Sequence, residues 1–210
     1  MIRTFKNNFD YIDFITAKEI KDGEIFCSNF VPSAFFPRDI IDFYFDKKEH
    51  IEKHKIATDK LWLYGKSVMK NLKEGKIQIC IEFHSFKKFI EKGVVHEATE
   101  NFEASLSTRI QVIDSILNHF NNIYFLPEPT PFVFRLIPKD IVVIDVDRNK
   151  TEQTIQGIVI QDTQIYIDFM EEFERLKKSS IAKLNKEKIR KTLTEAKITL
   201  KAGTQTTLHI

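Results

Sequence analysis

The stretch from residue 58 to residue 93 changes its hydrophobic period twice, and this limits the fold more than any other feature. Leu61, Tyr64, Val68 and Leu72 fall at spacings of 3, 4 and 4, the stripe of an amphipathic helix, with Thr58 or Asp59 as its cap. Gly75 stops it, because glycine takes a left-handed turn without a Cβ penalty. Ile77, Ile79, Ile81 and Phe83 then alternate with Gln78, Cys80 and Glu82, the pattern of a strand with one face in the core. Ser85 caps a short helix carrying Phe86, Phe89 and Ile90, ended by Gly93. Each element has an apolar side that must be covered by another element, so a helix–strand–helix run predicts layers. The expected class is α/β (or α+β): a mixed sheet flanked by helices.

The remaining chain extends this pattern. Residues 9–15 fit a strand or a helix, Glu24 to Phe30 reads as a strand, and Pro37 opens a short helix with Ile40, Ile41 and Tyr44 inward. Phe102, Leu106, Ile110, Ile113, Leu117 and Phe120 make the strongest helical stripe, with Thr99 as its cap. Strands are expected at 122–126, 132–136, 141–146 and 155–160, and Pro138-Lys139-Asp140 joins two of them as a hairpin. Asp162 caps a helix lined by Ile165, Phe169, Met170, Phe173 and Leu176, broken at Ser179-Ser180. Asn185 starts a last helix with Ile189, Leu193 and Ala196 as its apolar line, and the tail from Ala202 is expected to fray. The chain divides into an N-terminal α/β half at 1–96, a C-terminal half at 97–178 and a basic extension at 179–210.

With 42% hydrophobic and 30% charged residues in 210, the chain is rich enough in apolar groups to exclude disorder. No run approaches 18 uncharged apolar residues, so no membrane partner is expected. The start carries no signal-peptide core, so a cytoplasmic location is expected. Net charge is only +2, yet Lys177 to Lys201 holds nine basic and two acidic residues. Lys183, Lys186, Lys188, Arg190 and Lys191 are therefore the candidate contacts for an acidic partner or nucleic acid. Cys27 and Cys80 make neither a disulfide framework nor a zinc site.

Motifs for nucleotide, zinc-protease or serine-hydrolase chemistry are missing, and no cofactor or metal is expected. His50 and His54 are four apart but lack a third ligand. Glu82 and His84 share one side of the expected strand and would act as an acid–base pair if that side lines a cleft. Asp145 and Asp147 end an apolar strand, but no lysine follows at nuclease spacing. Arg109 and Arg135 stand in apolar contexts and would need partners if buried, which makes them, with Glu82 and His84, the candidate ligand-binding residues. The expected function is a non-enzymatic sensor or interaction module that binds a small ligand or a protein partner and acts through homodimerisation or through its basic C-terminal helix. The alternatives are a hydrolase or nuclease-like enzyme using Glu82, His84 and Asp145, and nucleic-acid binding through the basic C-terminal helix.

One region has a family likeness. A long helix with Arg109 leads to Asn122-Ile-Tyr-Phe-Leu126, a proline break and Phe132-Val-Phe-Arg-Leu136. Asp140-Ile-Val-Val-Ile144, Gly157-Ile-Val-Ile160 and a helix from Asp162 with Phe169 and Phe173 follow. This order of elements, over about residues 101–176, resembles the effector region of certain bacterial and archaeal transcriptional regulators. Those regions look like phospholipase-D-type domains that have lost catalysis. The resemblance implies a ligand-responsive regulatory role. It carries over no catalytic residue, since Lys55 directly follows His54 and the His-x-Lys spacing of the active enzymes is absent. No helix-turn-helix is recognisable before the first compact segment.

Overall fold

The computed structural model describes residues 1–29, 31–38, 40–41, 51–94, 103–146 and 157–208. Seven strands form one mixed sheet: β1 (Ile2–Phe5), β2 (Ile25–Ser28), β3 (Gln78–Glu82), β4 (Ile123–Leu126), β5 (Val133–Ile137), β6 (Ile141–Asp145) and β7 (Gly157–Gln161). Their spatial order is β1-β7-β6-β5-β2-β3-β4. The neighbours β2, β3 and β4 pair parallel, and every other pairing is antiparallel. The described helices are α1 (Asn8–Thr16), α2 (Ile51–Lys73), α3 (Phe83–Lys92), α4 (Leu106–Asn118), α5 (Thr163–Lys183) and α6 (Lys186–Lys201). The fold is α/β, a mixed sheet with helices on both faces. Strands from either side of residue 96 interleave, with β5, β6 and β7 lying between β1 and β2. The line expected near residue 96 thus divides the chain but not the sheet.

The helix α5 covers one face. There Cys27, Cys80, Phe134, Leu136 and Val142 pack against Phe169, Phe173 and Leu176. On the other face Ile79, Ile81, Ile123 and Phe125 meet Val68, Leu72, Phe86, Phe89, Val112, Ile113, Ile189 and Leu193. A third cluster lies under α1, where Phe5 and Tyr11 pack on Ile137, Val143 and Val159. The two-sided burial corrects the reading of residues 77–83. Cys80 and Glu82 are buried as deeply as Ile79 and Ile81, because β3 is an interior parallel strand with helices above and below.

Several boundaries also move. Residues 8–16 are helical, with the Asn7 side chain accepting the Asp10 N–H at 2.8 Å. Helix α2 already includes Ile51, so Thr58 is a buried interior residue and not a cap. Phe83 belongs to α3 rather than the strand, and Glu82, not Ser85, is the cap. Ser105 caps α4, accepting the Thr108 N–H at 3.1 Å, whereas Thr99 and Phe102 lie outside the described residues. Tyr44, His50, His96, Asp147 and Ile155 lie outside them too. Helix α5 runs through Ser179-Ser180 because the Ser180 hydroxyl donates to the Phe125 carbonyl of β4 at 2.5 Å. The expected caps at Asp162 and Asn185 form, as does the β5–β6 hairpin, with Lys139 and Asp140 at φ +82° and +66°. The tail is anchored: Leu208 is 1% exposed and its N–H donates to the Glu91 carboxylate at 2.6 Å. Among the described residues no helix is long and apolar enough to cross a membrane.

Candidate functional site

The candidate enzymatic residues do not converge. Glu82 is spent on structure, with one carboxylate oxygen accepting the backbone N–H of His84 and the other that of Ser85, both at 2.6 Å. These are two of the orphan donors at the start of α3. The His84 side chain is exposed on that helix. Asp145 ends β6, separated from β3 by β5 and β2, so about three strand spacings, roughly 14 Å, lie between them. Asp145 accepts the Tyr11 hydroxyl instead, on the opposite side of the sheet from α5. No single cleft holds Glu82, His84 and Asp145.

Arg109 is buried, and its Nη1 donates to the Ile90 and Glu91 carbonyls at 3.1 and 2.9 Å. It therefore closes the C-terminal end of α3, where carbonyls lack helical partners and positive charge is favoured. Desolvation pulls its guanidinium below the usual arginine range.

Arg135 sits at the centre of β5, facing α2. Its Nε donates to the Glu24 carboxylate at 2.8 Å, and its Nη2 lies 2.7 Å from the same oxygen. The other Glu24 oxygen accepts the Lys21 N–H at 2.7 Å. Phe26 and Tyr64 lie against the guanidinium, ring centroids at 5.0 and 5.2 Å. Glu24 is 0% exposed and Arg135 6%. Such a pair is stable only because each charge meets the other in good geometry. Among the described residues Arg135 Nη1 has no hydrogen-bond partner, and neither has the buried hydroxyl of Tyr64. Burial pushes the Tyr64 phenol up; Glu24 and Asp145 add to this, against the opposing pull of Arg135.

The basic residues are sorted by the turn between α5 and α6. Leu184 and Asn185 carry the chain round the β4 edge, from one face of the sheet to the other. Ile189, Leu193, Ala196 and Leu200 are buried and dock α6 on the core beside α4. That docking fixes the rest of the helix. Lys186 and Arg190 turn toward the edge, while Lys188 and Lys191 face solvent. Lys197 pairs with Asp114 of α4. Lys183 ends α5.

At the edge three cations share two rings. Lys186 Nζ lies 4.9 Å from the Tyr124 centroid and 5.3 Å from that of Phe120. Lys177 Nζ, from α5, lies 5.0 Å from Tyr124, and the Arg190 guanidinium 4.9 Å from Phe120. Neighbouring charges thus fall within about one Debye length, ~10 Å. Among the described residues Lys186 has no carboxylate partner, and its ammonium donates to the Asn121 carbonyl at 3.1 Å. The carboxylates nearest the others are Glu174, 3.8 Å from Lys177, and the largely exposed Glu187, 3.9 Å from Arg190. Contacts of that length and exposure contribute about 0–1 kcal/mol each. Burial pulls the Lys186 ammonium below its ordinary range; Arg190 and Lys177 push the same way, and the Glu187 carboxylate opposes them. Sequence reasoning found Lys186 and Arg190 by their charge run. The same run begins at Lys177, but the Phe120 and Tyr124 rings were missed as the place where the three meet, because only the tertiary turn at residue 184 brings these groups together.

No family model, no curated protein and no solved structure matches this chain.

Proposed function

We propose that the protein is a recognition module that binds the phosphate backbone of a nucleic acid along its β4 edge. The observation that carries this reading is the gathering of Lys177, Lys186 and Arg190 on the Phe120 and Tyr124 rings, with Lys186 lacking a carboxylate partner among the described residues. Three like charges held together repel one another, and an anion laid across them relieves the repulsion. Lysine and arginine on a rigid helix–strand edge suit that task, since phosphate contacts depend on position and charge. Lys188 and Lys191 extend the positive surface along the outer side of α6.

The test is fluorescence anisotropy with a labelled single-stranded oligonucleotide. At ~0.1 M salt each phosphate contact contributes about fivefold through counterion release, so losing three contacts should weaken binding about 100-fold. Lys177→Gln/Lys186→Gln/Arg190→Gln should show that loss. Lys188→Gln/Lys191→Gln should lose far less. Equal losses in the two variants would show a diffuse surface rather than this site.

A second reading, a small-ligand sensor, is favoured by one observation: Arg135 Nη1 and the Tyr64 hydroxyl are buried donors without a partner among the described residues. A thermal-shift screen of small carboxylates and phosphates tests it. A hit whose shift vanishes in Tyr64→Phe would support it, and no hit would remove it.

A further inference from the structure

The chain contains only two cysteines, at positions 27 and 80. They are 53 residues apart in sequence, yet β2 and β3 pair in a register that sets Cys27 directly beside Cys80. Register partners on neighbouring parallel strands project to the same face, and both side chains lie in the cluster beneath α5, 1% and 0% exposed. Both are free thiols. The spacing of adjacent strands, about 4.8 Å, falls inside the Cα–Cα range that a disulfide spans.

We propose that Cys27 and Cys80 form a disulfide when the protein meets hydrogen peroxide, a small uncharged oxidant, cross-linking β2 to β3 at the centre of the sheet. One sulfur, as its thiolate, attacks the peroxide O–O bond, becoming a sulfenic acid and releasing hydroxide. The second sulfur then displaces the hydroxyl as water, and the S–S bond forms. Two electrons pass from the sulfurs to the peroxide, and the two thiol protons leave in two water molecules. The chemistry suits its surroundings, because the product is uncharged and apolar like the cluster around it. A lone sulfenic or sulfinic acid at this depth would instead bury a polar group without a partner. Burial also holds the Cys27 thiol up and protonated, so the reaction is slow and its rate rises with pH as thiolate accumulates. Glutathione disulfide is too bulky to reach the pair in the folded protein. The bond closes a loop of about 50 residues and should raise the thermal midpoint by about 10 °C.

The full chain is incubated with hydrogen peroxide at pH 7 and pH 9. It is then unfolded, alkylated and weighed, before and after dithiothreitol. The expected result is a loss of two hydrogens in mass, no alkylatable thiol, faster conversion at pH 9 and full reversal by the reductant. The midpoint of the oxidised protein should rise, whereas Cys27→Ser and Cys80→Ser should show no reversible rise. Two alkylatable thiols remaining after an exposure that oxidises the urea-unfolded chain would overturn the proposal. So would independent sulfinic acids, a cross-link between two chains, or a lowered midpoint. The wild-type mass decides the matter even where a serine variant fails to fold.

Discussion

Removing one partner of the Glu24–Arg135 pair should damage this protein more than most single substitutions. In Arg135→Met the Glu24 carboxylate, 0% exposed, keeps the Lys21 N–H as its one donor among the described residues. An uncompensated buried charge of this kind costs about 3–5 kcal/mol, against a total stability of order 5–15 kcal/mol for a domain. The stacking of the guanidinium on Phe26 and Tyr64 is lost as well, although methionine refills much of the volume. For a chain of this size each kcal/mol moves the midpoint by about 2–4 °C, so a fall of roughly 6–20 °C is expected. Glu24→Leu should be comparably harmful, since it strands Arg135 in the same place. The double variant Glu24→Leu/Arg135→Met removes both charges and should recover most of the loss, a coupling of about 2 kcal/mol or more. Urea unfolding followed by fluorescence of Trp62, the chain's one tryptophan, reads all four states. Either single variant within about 1 kcal/mol of wild type, or two losses that add, would refute the reasoning.

Three other outcomes follow from the geometry. Gly157→Ala drives a methyl group into the Tyr11 ring, which packs directly against that glycine, and should cost about 1–3 kcal/mol or more by urea unfolding; Tyr11→Leu/Gly157→Ala should recover part of it, and no recovery would mean the clash lies elsewhere. Glu82→Ala deprives two N–H groups of α3 of their acceptor and should cost about 1–2 kcal/mol, with oligonucleotide affinity unchanged; a loss of binding would give Glu82 a role beyond capping. The Lys186 ammonium should titrate below an ordinary lysine by NMR. Because its folded pKa is lowered, it disfavours the folded state at neutral pH, and stability should rise as pH climbs from that folded value toward the unfolded one, about 10.4. A bound polyanion should move the titration upward, and an unchanged value would separate Lys186 from binding.

Local signals were readable in the sequence, and their failures share one cause. The caps at Asp162 and Asn185 and the hairpin at Pro138–Asp140 depend on nearby residues, and each forms where its chemistry places it. The alternation at 77–83 misleads because the second face of β3 is covered by a helix eighty residues further on. Ser179-Ser180 looks like a break until the Phe125 carbonyl accepts the Ser180 hydroxyl. Arg109 and Arg135 were singled out rightly as charges needing partners, but those partners, a helix end and Glu24, come from segments 18 to 111 residues away. The basic run was visible; which of its members face Tyr124 depended on how α6 docks.

The phosphate-binding claim is tested most directly by how oligonucleotide affinity varies with salt. Three contacts on a single strand should give log K against log salt a slope of about −2, flattened toward zero in Lys177→Gln/Lys186→Gln/Arg190→Gln. A wild-type protein that fails to bind at low salt, or a slope the triple substitution leaves unchanged, would contradict it.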